Sequence, residues 1–205
     1  MRLILIRHGE SEHALHPMIA GKEHCRGLTK QGFNQAHRLA ERLRTTGEVS
    51  DCQVLHASPV LRARQTAEVL TAQLALGPVQ QDDDLCELHP GEADGLCWEA
   101  YRSTYGAFHL LAFPHRPFAP FGESWLDFTS RVRTTLERLA KQFAGQTVVA
   151  VTHAGWIVAS LLVLFDIPRP GTRATLDPAF ASITEWRKSQ ATWTLVRFND
   201  AVMTY

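Results

Sequence analysis

Two histidines and two arginines stand at positions from which they could together handle a phosphoryl group. Arg7 and His8 directly follow one apolar run of the chain. Arg62 comes shortly after a second run, and His153 directly follows a third. A histidine ring nitrogen can act as a nucleophile, and an arginine guanidinium presents a planar fork of N–H donors to phosphate oxygens. This combination therefore indicates phosphate binding or phosphoryl transfer.

The apolar runs that precede these residues predict the strands of a parallel sheet. Residues 3–6 and 147–152 are continuous runs rich in Ile and Val, and residues 53–57 form a weaker one. Such runs are typical of strands that are covered on both faces. Ligands of an open parallel sheet bind beyond the carboxyl ends of its strands. We therefore expect the two histidines and two arginines to converge there.

Helices are predicted between the strands, where apolar residues recur at helical spacing. The segments are 33–43, 60–74 and 125–143, and the apolar stretch 155–167 predicts a further, buried helix. Ser124 with Asp127, and Ser58 with Pro59, are typical of helix starts. Residues 182–186 and 192–198 predict two late strands. The fold class is α/β: a three-layer α/β/α sandwich with a mostly parallel sheet, and an irregular lid over about residues 91–120.

The amino-acid composition indicates which classes of partner and which cellular compartment to expect. The 205 residues carry 21 Lys and Arg against 21 Asp and Glu, so no general field attracts nucleic acid or an acidic membrane surface. We expect neither nucleic acid nor a membrane as a partner. The four cysteines form no Cys-x-x-Cys pair, which favours reduced thiols and a cytoplasmic location. The length fits one domain over residues 1–205.

Six motifs are spread in order along nearly the whole chain. They are Arg7-His8-Gly9-Glu10-Ser11; Leu28-Thr29 with Gly32 and Gln35-Ala36; Ser58-Pro59 with Arg62-Ala63 and Thr66; residues 87–96; Gly122-Glu123-Ser124; and residues 151–155. A single Arg-His-Gly triplet is weak evidence, but six ordered motifs are specific. In them the chain resembles the histidine phosphatase superfamily, which includes cofactor-dependent phosphoglycerate mutases.

The resemblance implies a phosphoglycerate mutase-like fold and a metal-independent phosphatase mechanism without a cofactor. His8 is implied as the nucleophile that becomes phosphohistidine. Arg7, Arg62 and His153 are implied to bind the phosphoryl oxygens. Ala154 is added to the phosphate site because a helix N-terminus there would present free amides.

Glu87 is implied by the same resemblance as the proton donor and base. The alternative is that Glu87 belongs to a solvated acidic loop with residues 82–84. Candidates for substrate contacts are Ser11, His13, His24, Glu123 and Ser124. Capping of the following helix explains Glu123 and Ser124 equally well. Zinc ligation by His13, His16 and His24 with His8 does not match a metal-binding helix or hairpin, so we predict no metal.

The chain departs from the family pattern at three places, one of which is Ala93-Asp94-Gly95 where the family usually carries Trp-Glu-Gly. Ala14 stands where many members carry an Asn that contacts the phosphoryl group, so this contact is expected to be absent or replaced by His13 or His16. The stretch around His115 and Arg116 lacks the arginine pair with which mutases grip a phosphoglycerate carboxylate. The resemblance therefore favours a phosphatase, with a mutase and a non-catalytic phospho-ligand binding module as alternatives.

The expected partner is a small phosphorylated substrate. Several cationic residues are candidates for the mouth of the site and would suit a substrate with additional negative charge: Lys22, His24, Arg26, His89, His115 and Arg116. The late strands could pair across a dimer or close one edge of the sheet, so a monomer and a homodimer both fit.

Overall fold

The computed structural model describes residues 1–16, 18–107, 112–167 and 174–202. The strands are β1 (Arg2–Arg7), β2 (Cys52–Ala57), β3 (Gln80–Gln81), β4 (Thr147–Thr152), β5 (Ile183–Ser189) and β6 (Thr192–Asp200). The α-helices are α1 (Glu12–Leu15), α2 (Lys30–Thr46), α3 (Leu61–Leu74), α4 (Trp98–Tyr105), α5 (Trp125–Gln142) and α6 (Ala154–Leu164). Single 3₁₀ turns cover Asp83–Leu85 and Gly91–Ala93.

The strands form one six-stranded sheet in the order β3-β2-β4-β1-β5-β6. The pairs β3 with β2, β2 with β4 and β4 with β1 are parallel, whereas β5 and β6 are antiparallel. The parallel strands predicted from the apolar runs and the two late strands are confirmed. The two-residue strand β3 was not predicted, because its two exposed glutamines carry no strand pattern.

Alternate residues of the central strands divide the core between the two faces of the sheet. Leu3 and Leu5 pack with α5 and α6, whereas Ile4 and Ile6 pack with α2 and α3. Strand side chains alternate between faces, so a continuous apolar run is needed where helices cover both. This arrangement confirms the α/β/α sandwich.

The helix starts follow the local sequence in two cases and depart from it in a third. Thr29 caps α2 by accepting the Gly32 amide at 2.9 Å, and Ser124 with Asp127 forms the predicted capping box of α5. The predicted Ser58-Pro59 start is wrong, because α3 begins at Leu61. Within the described residues, no helix is long and apolar enough to cross a membrane.

The lid segment of about residues 91–120 is more regular than the sequence predicts. It contains a 3₁₀ turn and α4, and it has a small core of its own. Tyr101 is buried there, stacks on Phe118 with ring centroids 4.5 Å apart, and donates its hydroxyl to the Phe118 carbonyl at 2.7 Å. The lid is therefore a packed unit along residues 91–107 and 112–120, and His109 lies outside the described residues.

Candidate active site

The predicted convergence at the carboxyl ends of the strands is present. His8 follows β1, His153 follows β4 and caps α6, and Arg62 lies in the first turn of α3. The rings of His8 and His153 approach to 5.1 Å between centroids. A cavity of about 350 Å³ opens at this point, in the range of small-molecule sites. Its polar lining residues are Arg7, His8, His13, Arg62 and Glu87, and the α6 start contributes Ala154 and Gly155.

Hydrogen bonds fix which ring nitrogen of His8 carries the proton. Nδ1 lies 2.7 Å from the Gly9 carbonyl oxygen, which can only accept, so Nδ1 donates. Arg62 Nε donates to Nε2 of His8 at 3.1 Å, so this nitrogen accepts. Both contacts require the neutral ring with its lone pair on Nε2. This nitrogen is the one that can attack phosphorus.

The environment of His8 also keeps the ring neutral. Its side chain is buried, with 4% of the residue exposed. Burial, followed by the positive charge of Arg62, holds the pKa of His8 well below its ordinary value. The ring is therefore neutral at pH 7, and its unprotonated nitrogen keeps a lone pair.

Arg62 is held rigidly beneath the cavity. It is 3% exposed, and its Nη1 donates to the Ala20 carbonyl at 2.9 Å and to Cys25 Sγ at 3.4 Å. Thr66 joins this arginine to the loop after β1: its hydroxyl donates to the Arg62 carbonyl at 2.8 Å and accepts the Gly9 amide at 3.1 Å. The guanidinium is thus placed before any substrate arrives.

Arg7 is anchored from the opposite side by residues before β5. Its Nη1 donates to Asp177 Oδ1 at 3.2 Å and to the Pro178 carbonyl. The guanidinium carbon lies 3.9 Å from the centre of the Phe180 ring. Its buried Nε finds no hydrogen-bond partner in the described parts of the chain. Arg7 therefore has donor capacity left for an anion.

His153 is buried with one ring nitrogen engaged. Its Nε2 is hydrogen-bonded to Ser58 Oγ at 2.9 Å, and Nδ1 has no partner among the described residues. Burial, followed by the charge of Arg62, holds the pKa of His153 well below its ordinary value. Ser58 was predicted as a helix cap; here it instead orients His153, a role that no local pattern indicates.

The side chain of Glu87 lines the cavity; it is not part of a solvated acidic loop. Its Oε2 accepts the Gly155 amide at 2.8 Å, in the first turn of α6. A Cβ atom at position 155 would lie 2.3 Å from Glu87 Oε1, so only glycine permits this approach. The structure thus brings a carboxyl group to the same cavity as the His8 ring.

Of the candidate substrate contacts, only His13 lines the cavity. Its ring centre lies 6.3 Å from that of His8, and burial lowers its pKa to about 4. Ser11 is buried behind it, with Oγ hydrogen-bonded to His13 Nδ1 at 2.7 Å. The neighbouring Ala14 and His16 are exposed. His13 therefore lines the cavity, and Ala14 and His16 do not.

Three other candidates are not brought to the cavity. His24 is half exposed, with Nδ1 3.5 Å from Asp94 Oδ1. Glu123 is held by two hydrogen bonds of 2.7 Å from Arg131, and it also accepts the His89 amide. Ser124 is engaged in the capping box of α5. Among the described residues, no group of three or more His, Cys, Asp or Glu is arranged to hold a metal ion.

Sequence reasoning missed the apolar part of the lining. It consists of Met18, Ile19, Leu88, Trp98, Phe118, Trp125 and Phe128, here named the apolar wall. Trp125 and Phe128 lie in the predicted helix 125–143, where their spacing indicates only an apolar face turned to the core. The one available signal was the aromatic content of the lid, which supplies Trp98 and Phe118.

Known proteins resemble the chain over most of its length. Phosphoglycerate mutase-like protein 4 of Arabidopsis thaliana is 28% identical, over 97% of this chain and 84% of that protein. The metal-independent phosphoserine phosphatase of the same plant is 30% identical, over 78% and 67%. Among solved structures, Bacillus stearothermophilus YhfR superposes with a TM-score of 0.83, at 25% identity and 98% coverage of both chains.

A second solved structure and a family model agree with these relatives. Phosphoserine phosphatase from Entamoeba histolytica, in complex with 3-phosphoglyceric acid, superposes with a TM-score of 0.79. It is 27% identical and covers 98% of this chain and 97% of its own. The model of the histidine phosphatase superfamily, branch 1, matches residues 3–201. The chain therefore belongs to the histidine phosphatase superfamily.

Proposed function

We propose that the chain is a phosphatase that hydrolyses a small phosphomonoester through a phosphohistidine on His8. The observation that carries the proposal is the orientation of the His8 ring. Its Nδ1 is tied to the Gly9 carbonyl, so that the lone pair on Nε2 stands beside Arg62 at the cavity. A relative that is named as a metal-independent phosphoserine phosphatase supports the same class of reaction. None of the proposed steps needs a metal.

In the first step, His8 Nε2 attacks phosphorus and the bond from phosphorus to the ester oxygen breaks. Arg7, Arg62 and His153 stabilise the charge on the transferring oxygens as preorganised donors. Glu87, entering as the carboxylic acid, gives its proton to the departing oxygen. The products of the step are an alcohol, a phosphohistidine and the Glu87 carboxylate.

In the second step, the Glu87 carboxylate takes a proton from a water molecule as its oxygen attacks phosphorus. The phosphorus–nitrogen bond breaks, inorganic phosphate leaves, and His8 regains its neutral ring. Because Glu87 regains its proton here, the cycle is closed and one carboxyl group serves both steps.

The proposal is tested by phosphate release from a panel of esters, in the presence of a chelator, with the wild type and His8→Gln. We expect chelator-resistant activity that the substitution abolishes. Activity that survives in His8→Gln would overturn the proposal. Addition of a bisphosphoglycerate primer to 3-phosphoglycerate separates the alternatives, because transfer without phosphate release identifies a mutase. Phosphate binding without turnover of any ester identifies a binding module.

A further inference from the structure

The apolar wall of the cavity is built largely from aromatic side chains. Four of its members are aromatic: Trp98 from α4, Phe118 from the lid, and Trp125 and Phe128 from α5. The Trp98 and Phe118 rings lie 6.0 Å apart at 85°, in an edge arrangement. Ile19, Phe118, Trp125 and Phe128 are buried, so their positions are fixed by packing. The wall is a formed surface and not a set of mobile side chains.

Both arginines of the cavity are used by the proposed phosphoryl site. Within the described ranges, Arg7 and Arg62 are the only Lys or Arg residues that line it. Arg62 faces His8, and Arg7 lies at the same end of the sheet. His13 is neutral at pH 7, because its pKa is lowered to about 4. Among the described lining residues, nothing remains to neutralise a second anionic group such as a carboxylate.

The neighbouring cavity is predominantly acidic, and its one lysine is already paired with a carboxylate. It has a volume of about 560 Å³ and shares Arg62, Glu87, Leu88 and Pro90 with the first. The cationic candidates Lys22 and His89 line it, but Lys22 donates to Asp83 at 2.9 Å and burial lowers the pKa of His89. Its remaining charged lining residues are acidic: Glu23, Glu92 and Asp94. The expectation of a substrate with additional negative charge is therefore not supported.

Among the other cationic candidates, Arg26, His115 and Arg116 line neither cavity. Arg116 donates instead to the Tyr105 carbonyl within the lid. An uncompensated carboxylate or a set of sugar hydroxyls placed against the apolar wall would lose water contacts without gaining partners. An apolar ring would gain contact area there and leave no polar group unpaired.

We propose that the preferred substrate is a phosphomonoester whose organic group is apolar and aromatic, bound against the apolar wall. This inference rests on the proposed phosphatase function and names its substrate class. It disfavours amino-acid, glycerate and sugar phosphates. Trp98 is the specificity-determining residue that a substitution can address most cleanly, because it is 38% exposed at the start of α4, whereas Phe118, Trp125 and Phe128 are buried.

The test compares benzyl phosphate with glycerol 3-phosphate, phosphoserine and 3-phosphoglycerate. Benzyl phosphate and glycerol 3-phosphate are both esters of primary alcohols, so their difference in kcat/KM reports the organic group. We expect benzyl phosphate to be preferred at least about tenfold, the size of effect that one apolar contact pocket gives. An equal or higher kcat/KM for phosphoserine or 3-phosphoglycerate would overturn the inference.

Variants connect this preference to the wall. Trp98→Ala is expected to lower kcat/KM for benzyl phosphate by about tenfold and to leave glycerol 3-phosphate nearly unchanged, and Trp98→Phe should restore most of the loss. Trp193→Ala is the matched control, because Trp193 pairs with Lys188 in the hairpin at the opposite end of the sheet. A loss of equal size for both esters in Trp98→Ala would contradict a role in specificity.

The outcome also separates this inference from the proposed function. Turnover that depends on His8 but shows no preference for benzyl phosphate would overturn only the substrate class. The absence of phosphate release from every ester would overturn the phosphatase itself.

Discussion

The glycine beside Glu87 gives a sharp test of the proposed role of Glu87 as proton donor. In Gly155→Ala, the new Cβ would lie 2.3 Å from Glu87 Oε1, whereas ordinary contact begins at 3.4 Å. The carboxyl group must therefore withdraw by about 1 Å, and a misplacement of this size can cost about 10²-fold in rate. Because the contacted atoms are the carboxyl group at the end of the flexible Glu87 side chain, the fold can accommodate the methyl group. We expect kcat to fall about 10²-fold with little change in the free energy of unfolding.

The loss should depend on the leaving group, which distinguishes a positioning effect from general damage. The departing oxygen of phenyl phosphate needs a proton, whereas p-nitrophenyl phosphate releases p-nitrophenolate, which is already a stable anion. The kcat/KM of Gly155→Ala should therefore fall much more for phenyl phosphate, because this parameter reports phosphorylation of His8. Glu87→Gln should show the same selectivity.

The control is Gly77→Ala, because a Cβ at that exposed position meets no described atom within 4 Å. It should retain wild-type kinetics with both esters. The reasoning is refuted if Gly155→Ala keeps the wild-type kcat, or if its kcat/KM falls equally with both leaving groups while the variant remains folded.

Three further predictions concern burial and capping. His8 and His153 have pKa values well below the ordinary 6.5 in the folded chain. Below about pH 6.5 the unfolded chain therefore binds more protons than the folded chain, and the free energy of unfolding falls as the pH is lowered. The slope is up to ~1.4 kcal/mol per pH unit for each ring. Urea unfolding at pH 7 and about pH 5.5 checks this slope, which His8→Gln should reduce; a stability independent of pH contradicts it. Ser124→Ala should cost about 1 kcal/mol of stability and leave kcat/KM unchanged, and a large kinetic loss would place Ser124 in the site. Ser58→Ala should cost about 1–3 kcal/mol and weaken inhibition by inorganic phosphate, because the buried His153 ring loses its only partner among the described residues; unchanged phosphate inhibition would contradict its orienting role.

The sheet and the position of its site were predictable because their signals are local. Residues 3–6 and 148–151 are apolar throughout, which requires cover on both faces and places His8 and His153 at the carboxyl ends. The capping pair of α5 could likewise be identified within four residues. By contrast, β3 is held only by its pairing with β2, and no apolar pattern marks its two residues.

The parts of the site that could not be predicted depend on contacts between distant segments. Ser58 has the sequence of a helix cap, yet its hydroxyl lies 2.9 Å from a ring 95 residues away. Glu87 is implied only by the family resemblance, because its own acidic stretch carries no signal of a site; the hydrogen bond from the distant Gly155 amide is what holds it at the cavity. The place of Trp98 at the cavity follows from the path of the lid, which no spacing rule describes.

The most direct test of the central claim is the chemical identity of the phosphoenzyme. Glu87→Gln is mixed with p-nitrophenyl phosphate, quenched in base to preserve the acid-labile intermediate, and the modified nitrogen is assigned by NMR and mass spectrometry. The orientation of the His8 ring predicts one phosphoryl group on Nε2 of His8. A phosphoryl group on Nδ1, a different phosphorylated residue, or hydrolysis through a direct attack of water without a phosphoenzyme would contradict the account.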